Sequence, residues 1–258
     1  MKSVRHAVNF FTTNKVDEHS KTPTQADPQS ARWYHRLWPS RCIACGDQGE
    51  YWQQQALDLC APCLRQLPWL ENACRHCAEP ICEHSVCGRC LKDPPAIQGC
   101  WVPLRYEAPV SHWLTHYKYR AQFKYGRLLS QLLARTLIED QAALPQLIIP
   151  VPLHRQKLAQ RGFNQALMIA KDLGRQLKVS VSSQHLIRTR QATAQAGLDL
   201  KSRQRNLRQA FATQGRLPQH VALVDDVITT ASTIRTCARQ LQRAGVKQVD
   251  VWALARTP

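Results

Sequence analysis

The chain has 258 residues, a formal net charge of +17 and eleven cysteines. The length suits one substantial domain with a smaller module beside it, and the charge favours polyanionic partners: nucleic acid, phosphorylated ligands or an anionic membrane surface. No apolar run reaches the ~18–20 residues of a membrane span, and the opening MKSVRHAVNFF lacks the continuous apolar stretch and small-residue cleavage site of a signal peptide. We therefore expect a cytoplasmic chain, peripheral to the inner membrane at most, whose cysteines hold metal rather than form disulfides.

Residues 1–40 are polar, interrupted by Pro23, Pro28 and Pro39, and show no sustained period, so they read as a disordered leader. Residues 41–97 carry the cysteines. Cys42 and Cys45 form one C-x-x-C knuckle and Cys60 and Cys63 a second; Cys74 with Cys77 and Cys87 with Cys90 repeat the arrangement with a tighter insert. A knuckle turns two thiolates toward one metal, and two knuckles close a tetrahedral site with no open position for a catalytic water. The expectation is a double zinc ribbon with two structural Zn²⁺ sites. Cys82, His76 and His84 lie inside the second repeat as alternative ligands, with Cys74, Cys77, Cys87 and Cys90 preferred because they reproduce the first site.

Pro94 and Pro95 mark a hinge, and residues 98–258 read as one α/β domain. GCWVPLRYE (99–107) is a strand. SHWLTHYKYRAQFKYG (111–126) is dense in aromatics and bases. It reads as an amphipathic helix with its rings inward, or as a stacking surface for single-stranded nucleic acid. Leu128, Leu129, Leu132, Leu133 and Leu137 mark a helix face. QLIIPVPL (146–153) is a buried strand, followed by a basic loop HRQKLAQRGFNQ (154–165) at the strand end where open α/β sheets bind ligands. Asn164 is placed to cap the next helix, whose apolar face is Ala166, Ile169, Ala170, Leu173 and Leu177. HLIRTR (185–190) is a strand and 198–211 a basic helical connector. From Val151 to Arg216 there are 13 bases against two acids, which makes Arg203, Arg205 and Arg208 nucleic-acid candidates.

The segment VALVDDVITTAST (221–233) combines an apolar strand, two adjacent carboxylates, a hydroxyl-rich turn and the start of a helix with Ile234, Cys237, Ala238 and Leu241 on one face. Backbone N–H groups at such a helix start face an anion. QVDVWAL (248–254) closes the sheet. Strands alternating with helices argue for a mostly parallel sheet covered on both faces.

Segment 221–233 resembles the phosphoribosyl-diphosphate (PRPP) signature of type I phosphoribosyltransferases. The resemblance implies that Asp225 and Asp226 accept hydrogen bonds from the ribose hydroxyls. Thr229, Thr230, Ala231, Ser232 and Thr233 would hold the 5-phosphate. Ala231 stands where that family carries glycine, an exchange tolerated if the residue is right-handed helical. The zinc knuckles, VPL with RGFNQ, the RTR-to-AF segment (188–211) and the PRPP-like loop resemble, in that order, the ComF/GntX family, from Cys42 onward.

That likeness implies a type I phosphoribosyltransferase-like domain behind a double zinc ribbon, with Arg155 and Arg161 on the pyrophosphate side and a cis peptide at Val151 or Pro152. It also implies Mg²⁺ accompanying PRPP. The function implied is an accessory role in DNA uptake or utilization, with single-stranded DNA and uptake machinery at the inner face of the membrane as partners. An active phosphoribosyltransferase in nucleotide salvage and a zinc-ribbon adaptor with a vestigial phosphoribosyl site are the alternatives. If chemistry occurs, Asp225 and Asp226 are the catalytic candidates, Asp226 facing positive charge that develops on the ribose ring.

Overall fold

The computed structural model describes residues 40–53, 55–82, 85–189 and 210–257. The chain divides into two compact units, one ending at Leu64 and the other beginning at Arg65. The leader and the connector bearing Arg203, Arg205 and Arg208 lie outside the described residues.

In the smaller unit, strands β1 (Glu50–Trp52) and β2 (Gln55–Leu57) pair antiparallel, and helix α1 (Ala61–Arg65) follows. The first knuckle is a tight turn in which the Cys42 N–H donates to the Asp47 carbonyl (2.7 Å) and the Gly46 N–H to the Cys42 carbonyl (2.9 Å). The larger unit repeats that turn: the Cys74 N–H donates to Glu79 (2.8 Å) and the Ala78 N–H to Cys74 (2.8 Å). Gly46 and Ala78 both have positive φ, +85° and +55°, which the turn requires at that place. Helix α2 (Gly88–Lys92) carries the last knuckle cysteine.

The central sheet is parallel throughout. Its order is β3 (Gly99–Trp101), β9 (Gln248–Arg256), β8 (His220–Ile228), β5 (Leu147–Pro150), with β4 (Leu104–Arg105) continuing β3 along β9. The expected strand 99–107 is thus two short pieces broken at Val102 and Pro103. In β8, Val221, Ala222, Leu223 and Val224 are all fully buried, as are most residues of β9. Such unbroken apolar runs are the mark of strands covered on both faces. Helices α3 (Val110–Arg120), α4 (Phe123–Glu139) and α6 (Gln165–Leu177) cover one side, where α4 and α6 pack on β9 and β8. Asn164 caps α6 as expected, accepting from the Ala166 N–H at 3.0 Å.

Helix α7 (Ser232–Arg243) and a hairpin of β6 (Leu186–Arg188) and β7 (Phe211–Thr213) occupy the other side. Cys74, Cys77, Cys87 and Cys90 belong to the same buried cluster as Val221, Leu223, Val251, Ile234 and Cys237. The second cysteine group is therefore part of the sheet domain's own core.

Three expectations are corrected. Residues 155–161 form a short helix, α5 (Arg155–Arg161), capped by His154 and closed by Gly162 at φ +79°, rather than a loop. Among the described residues the cis peptide is Ala108–Pro109, not one at Val151 or Pro152, where the Val151 N–H continues the ladder to Val224 at 2.8 Å. Strand β8 runs past the acidic pair to Ile228, so the carboxylates lie within the strand's last turnings and not after it.

Candidate functional site

Each cysteine group brings four sulfurs within 4.8 Å of one another: Cys42, Cys45, Cys60 and Cys63 in the first, Cys74, Cys77, Cys87 and Cys90 in the second. Cys45 and Cys60 sulfurs are 3.6 Å apart, as are those of Cys77 and Cys87. A zinc–sulfur bond of ~2.3 Å in a tetrahedron sets sulfurs about 3.8 Å apart, while a disulfide needs ~2.0 Å. The spacing fits zinc and excludes a disulfide.

The local backbone prepares the charge. Burial opposes ionisation of Cys42, but the N–H groups of Cys60, Cys45 and Ala44 outweigh it and bring the thiol to about 6. The N–H groups of Cys87, His76 and Cys77 bring Cys74 to about 7 in the same way, against burial. Burial and neighbouring sulfurs push Cys63 and Cys77 upward instead, a conflict that a dication resolves. Cys82 is exposed and stands apart from both groups. Both ring nitrogens of His76 are engaged, by the Ile97 carbonyl (2.7 Å) and Arg75 (3.2 Å), so it is not a ligand; His84 lies outside the described residues.

The second candidate site sits at the C-terminal end of the sheet. Neighbouring residues of a strand face opposite sides, and the two acids divide accordingly. Asp226 pairs with Lys118 of α3 at 3.1 Å. Asp225 shares the side of α7 with Cys237, whose thiol is pushed up first by burial and then by the Asp225 charge. Asp225 keeps some exposed area, yet protein atoms surround its carboxyl almost completely, and this second property governs its titration. Burial, then the Asp226 charge, raises it to about 7; the Asp226 N–H at 2.9 Å and Lys118 oppose the shift.

The hydroxyl turn follows. Thr229, Thr230 and Ser232 are exposed, and the Thr230 and Ser232 hydroxyls lie 2.9 Å apart. Ala231 is buried and left-handed, φ +57° and ψ +5°, not the right-handed conformation in which an alanine is tolerated without strain; a residue with a Cβ pays about 1–2 kcal/mol there. The bend turns the chain directly into α7, which has no side-chain cap. The Arg235 N–H is the first to reach a helical carbonyl, that of Ala231. The N–H groups just before it are the helix's free donors.

Arg155 is exposed on α5. Arg161 donates to the Tyr119 hydroxyl (3.2 Å) and Gln165 (3.3 Å), with its guanidinium 5.0 Å from the Tyr119 ring. Both lie after β5, whose register with β8 sets Pro150 beside Val224, one residue before the acids. Of the aromatics in 111–126, Trp113, Tyr117 and Tyr125 are buried, in keeping with the amphipathic reading, whereas Tyr119 and Phe123 are exposed. Sequence reasoning did not single out Lys118 as the partner of Asp226, nor Arg256 beneath the turn. An arginine ending an apolar buried strand was the available signal for the latter.

Among the described residues no helix is long and apolar enough to cross a membrane. A parallel sheet flanked by helices, with an acidic pair and hydroxyl turn at its C-terminal end and two four-cysteine groups upstream, defines an α/β protein with a double zinc ribbon. Residues 33–91 match the double zinc ribbon domain family. The chain is 34% identical over 207 residues to Competence protein F of Haemophilus influenzae, covering 77% of this chain and 90% of that one. It is 35% identical over 208 residues, with the same coverage, to DNA utilization protein YhgH of Shigella flexneri. It therefore belongs to the ComF/GntX family. Among solved structures it is similar to purine phosphoribosyltransferase from Pyrococcus horikoshii, at 18% identity and a TM-score of 0.35 over 52% of this chain and 74% of that one.

Proposed function

We propose that the protein binds PRPP with Mg²⁺ at the end of β8 and serves, as its relatives' names state of them, in competence or DNA utilization, in the cytoplasm or at the inner membrane face. The observation that carries the first part is the sequence of groups along one stretch: a carboxylate on each side of the strand, then hydroxyls and free N–H donors at the start of a 12-residue helix. The donors and helix dipole suit a phosphate; the carboxylates suit ribose hydroxyls, and Mg²⁺, a hard cation taking oxygen ligands, would supply charge neutralisation of the pyrophosphate. Lys118 holds Asp226 in place and offsets its charge until a ligand arrives.

Titration calorimetry with PRPP and Mg²⁺ tests this. Replacing both acids, Asp225→Asn with Asp226→Asn, should weaken binding about 100-fold or more, since each lost charge-assisted bond is worth about 1.5–3 kcal/mol. Undiminished affinity in the folded double variant would place the ligand elsewhere.

A single-stranded nucleic acid partner is supported by a second observation. Tyr119 is 67% and Phe123 48% exposed; Phe123 packs edge-on against Phe163 at 5.1 Å, and Arg120, Lys124 and Arg161 neighbour them in sequence or in contact. Exposed rings among bases suit stacked nucleotides. Tyr119→Ala and Phe123→Ala should each weaken binding to an oligothymidylate by about 5- to 100-fold in fluorescence anisotropy, on the usual worth of one stacked base. Unchanged affinity in both would leave the connector arginines as the nucleic-acid surface.

A further inference from the structure

Three arginines join the second cysteine group to the hydroxyl turn. Arg256, only 3% exposed at the end of β9, donates through Nη1 to the carbonyls of Ile228 (3.2 Å) and Thr229. Through Nε the same guanidinium donates to the carbonyl of Cys77 at 3.3 Å, and Nη2 meets the Glu79 carboxylate. Arg89, exposed on α2 between Cys87 and Cys90, donates to the Thr230 carbonyl at 3.4 Å. Arg235, in the first turn of α7, donates to Asp93 at 2.6 Å and reaches the Cys90 sulfur at 3.6 Å; Arg239 adds a bond to Asp93 at 3.0 Å.

The consequence follows from peptide geometry. In a planar trans peptide the C=O and the next N–H point in opposite directions. Arg256 fixes the Thr229 carbonyl and so aims the Thr230 N–H away from the cysteine group. Arg89 fixes the Thr230 carbonyl and so aims the Ala231 N–H. Arg235 anchors the start of α7, where the remaining free donors are. Arg256 and Arg89 each hold a carbonyl of the turn and leave the next N–H facing away from it, while Arg235 ties the helix start to Asp93.

We propose that the second cysteine group, acting through the positioning residues Arg256, Arg89 and Arg235, is the frame that aims the turn's N–H donors, so that zinc occupancy of this group and anion affinity of the turn are coupled. The proposal rests on the phosphoribosyl reading of that turn. Coupling between two binding events is reciprocal: zinc strengthens anion binding, and a bound anion tightens zinc binding at the second group.

The test uses the zinc-loaded full chain with ribose 5-phosphate as probe. Arg256→Lys keeps the charge and loses the fork, and Arg89→Ala removes an exposed side chain whose hydrogen bond among the described residues is to Thr230; neither replaces a cysteine. Both should retain the wild-type zinc content. Affinity for ribose 5-phosphate should fall about tenfold in Arg256→Lys and about threefold in Arg89→Ala, the range of one weakened charged and one long hydrogen bond. Amide exchange across Thr230–Ile234 should quicken in both without ligand, and saturating ribose 5-phosphate should raise the chelator concentration needed at equilibrium to strip zinc from the wild-type chain.

If both variants bind ribose 5-phosphate as the wild type does, with exchange unchanged, the proposal is overturned while the phosphoribosyl reading stands. If the wild type binds no ribose 5-phosphate, that reading falls with the coupling. The positioning role is then decided by exchange alone, and unchanged exchange refutes it. Should Arg256→Lys fail to fold, Arg89→Ala carries the decision.

Discussion

Asp225→Asn should stabilise the folded chain at pH 8 and leave it nearly unchanged at pH 4. The Asp225 carboxyl is raised from 3.8 to about 7, chiefly by burial and then by the Asp226 charge. Between those values the folded state holds a proton that the unfolded state has released. The wild-type contribution is therefore fully present below about pH 4 and is lost as pH rises through about 7. Each pH unit in that window is worth about 1.4 kcal/mol, so the variant should gain about 2–4 kcal/mol on the wild type at pH 8. Denaturant unfolding of both chains at pH 4, 6 and 8 measures it, and a difference independent of pH would show that Asp225 ionises freely. The chain keeps an acid that weakens its own fold at neutral pH, as expected where a group serves a ligand. Ribose hydroxyls and a magnesium ion are the partners that would offset the cost.

Cys74→Ser and Cys45→Ser should each lower zinc from about two ions per chain to about one, yet differ sharply in stability. Structural zinc contributes folding free energy of about 10–16 kcal/mol in small ribbons. Cys74 is fully buried within the core that holds Val221, Ile234 and Val251, so its loss acts on the sheet domain itself. At roughly 2–4 °C per kcal/mol for a domain of this size, the melting temperature should drop by about 10 °C or more. Cys45 lies in the smaller unit, so loss of its zinc acts there, and the main transition of the larger unit should move by about 2 °C or less. Calorimetry with metal analysis decides. Equal shifts would mean that the two cysteine groups stabilise the same cooperative unit.

The cysteine ligands were legible because a C-x-x-C knuckle is a local device, with chemistry and turn contained in four residues. The two central strands were legible because burial on both faces writes an unbroken apolar run. Partners far apart in the chain were not: Lys118 meets Asp226 across 108 residues, and Arg256 meets Cys77 across 179. Nothing in the composition near Lys118 separates it from Lys124, which lies near the Tyr125 ring instead. The left-handed Ala231 was hidden for a different reason. Alanine carries no signal for positive φ, and the conformation is imposed by the strand and helix that the turn must join.

Strand β9 is the last of the described strands to leave the ribosome, yet it lies inside the sheet, with β3 and β4 along one edge and β8 along the other. Until it emerges, among the described residues β3 has no strand partner, β4 has only the antiparallel bridge from Leu104 to Trp69, and β8 has only β5. The pairing of Gly99 with Asp250 spans most of the domain and closes a loop whose entropy must be lost before any of its contacts form. The hydroxyl turn inherits this order of events, since Arg256 ends β9 and donates to the Thr229 carbonyl. From the emergence of β3 to that of β9 the sheet thus has an unfinished edge, and the hydroxyl turn takes its final shape in the same step that closes the sheet.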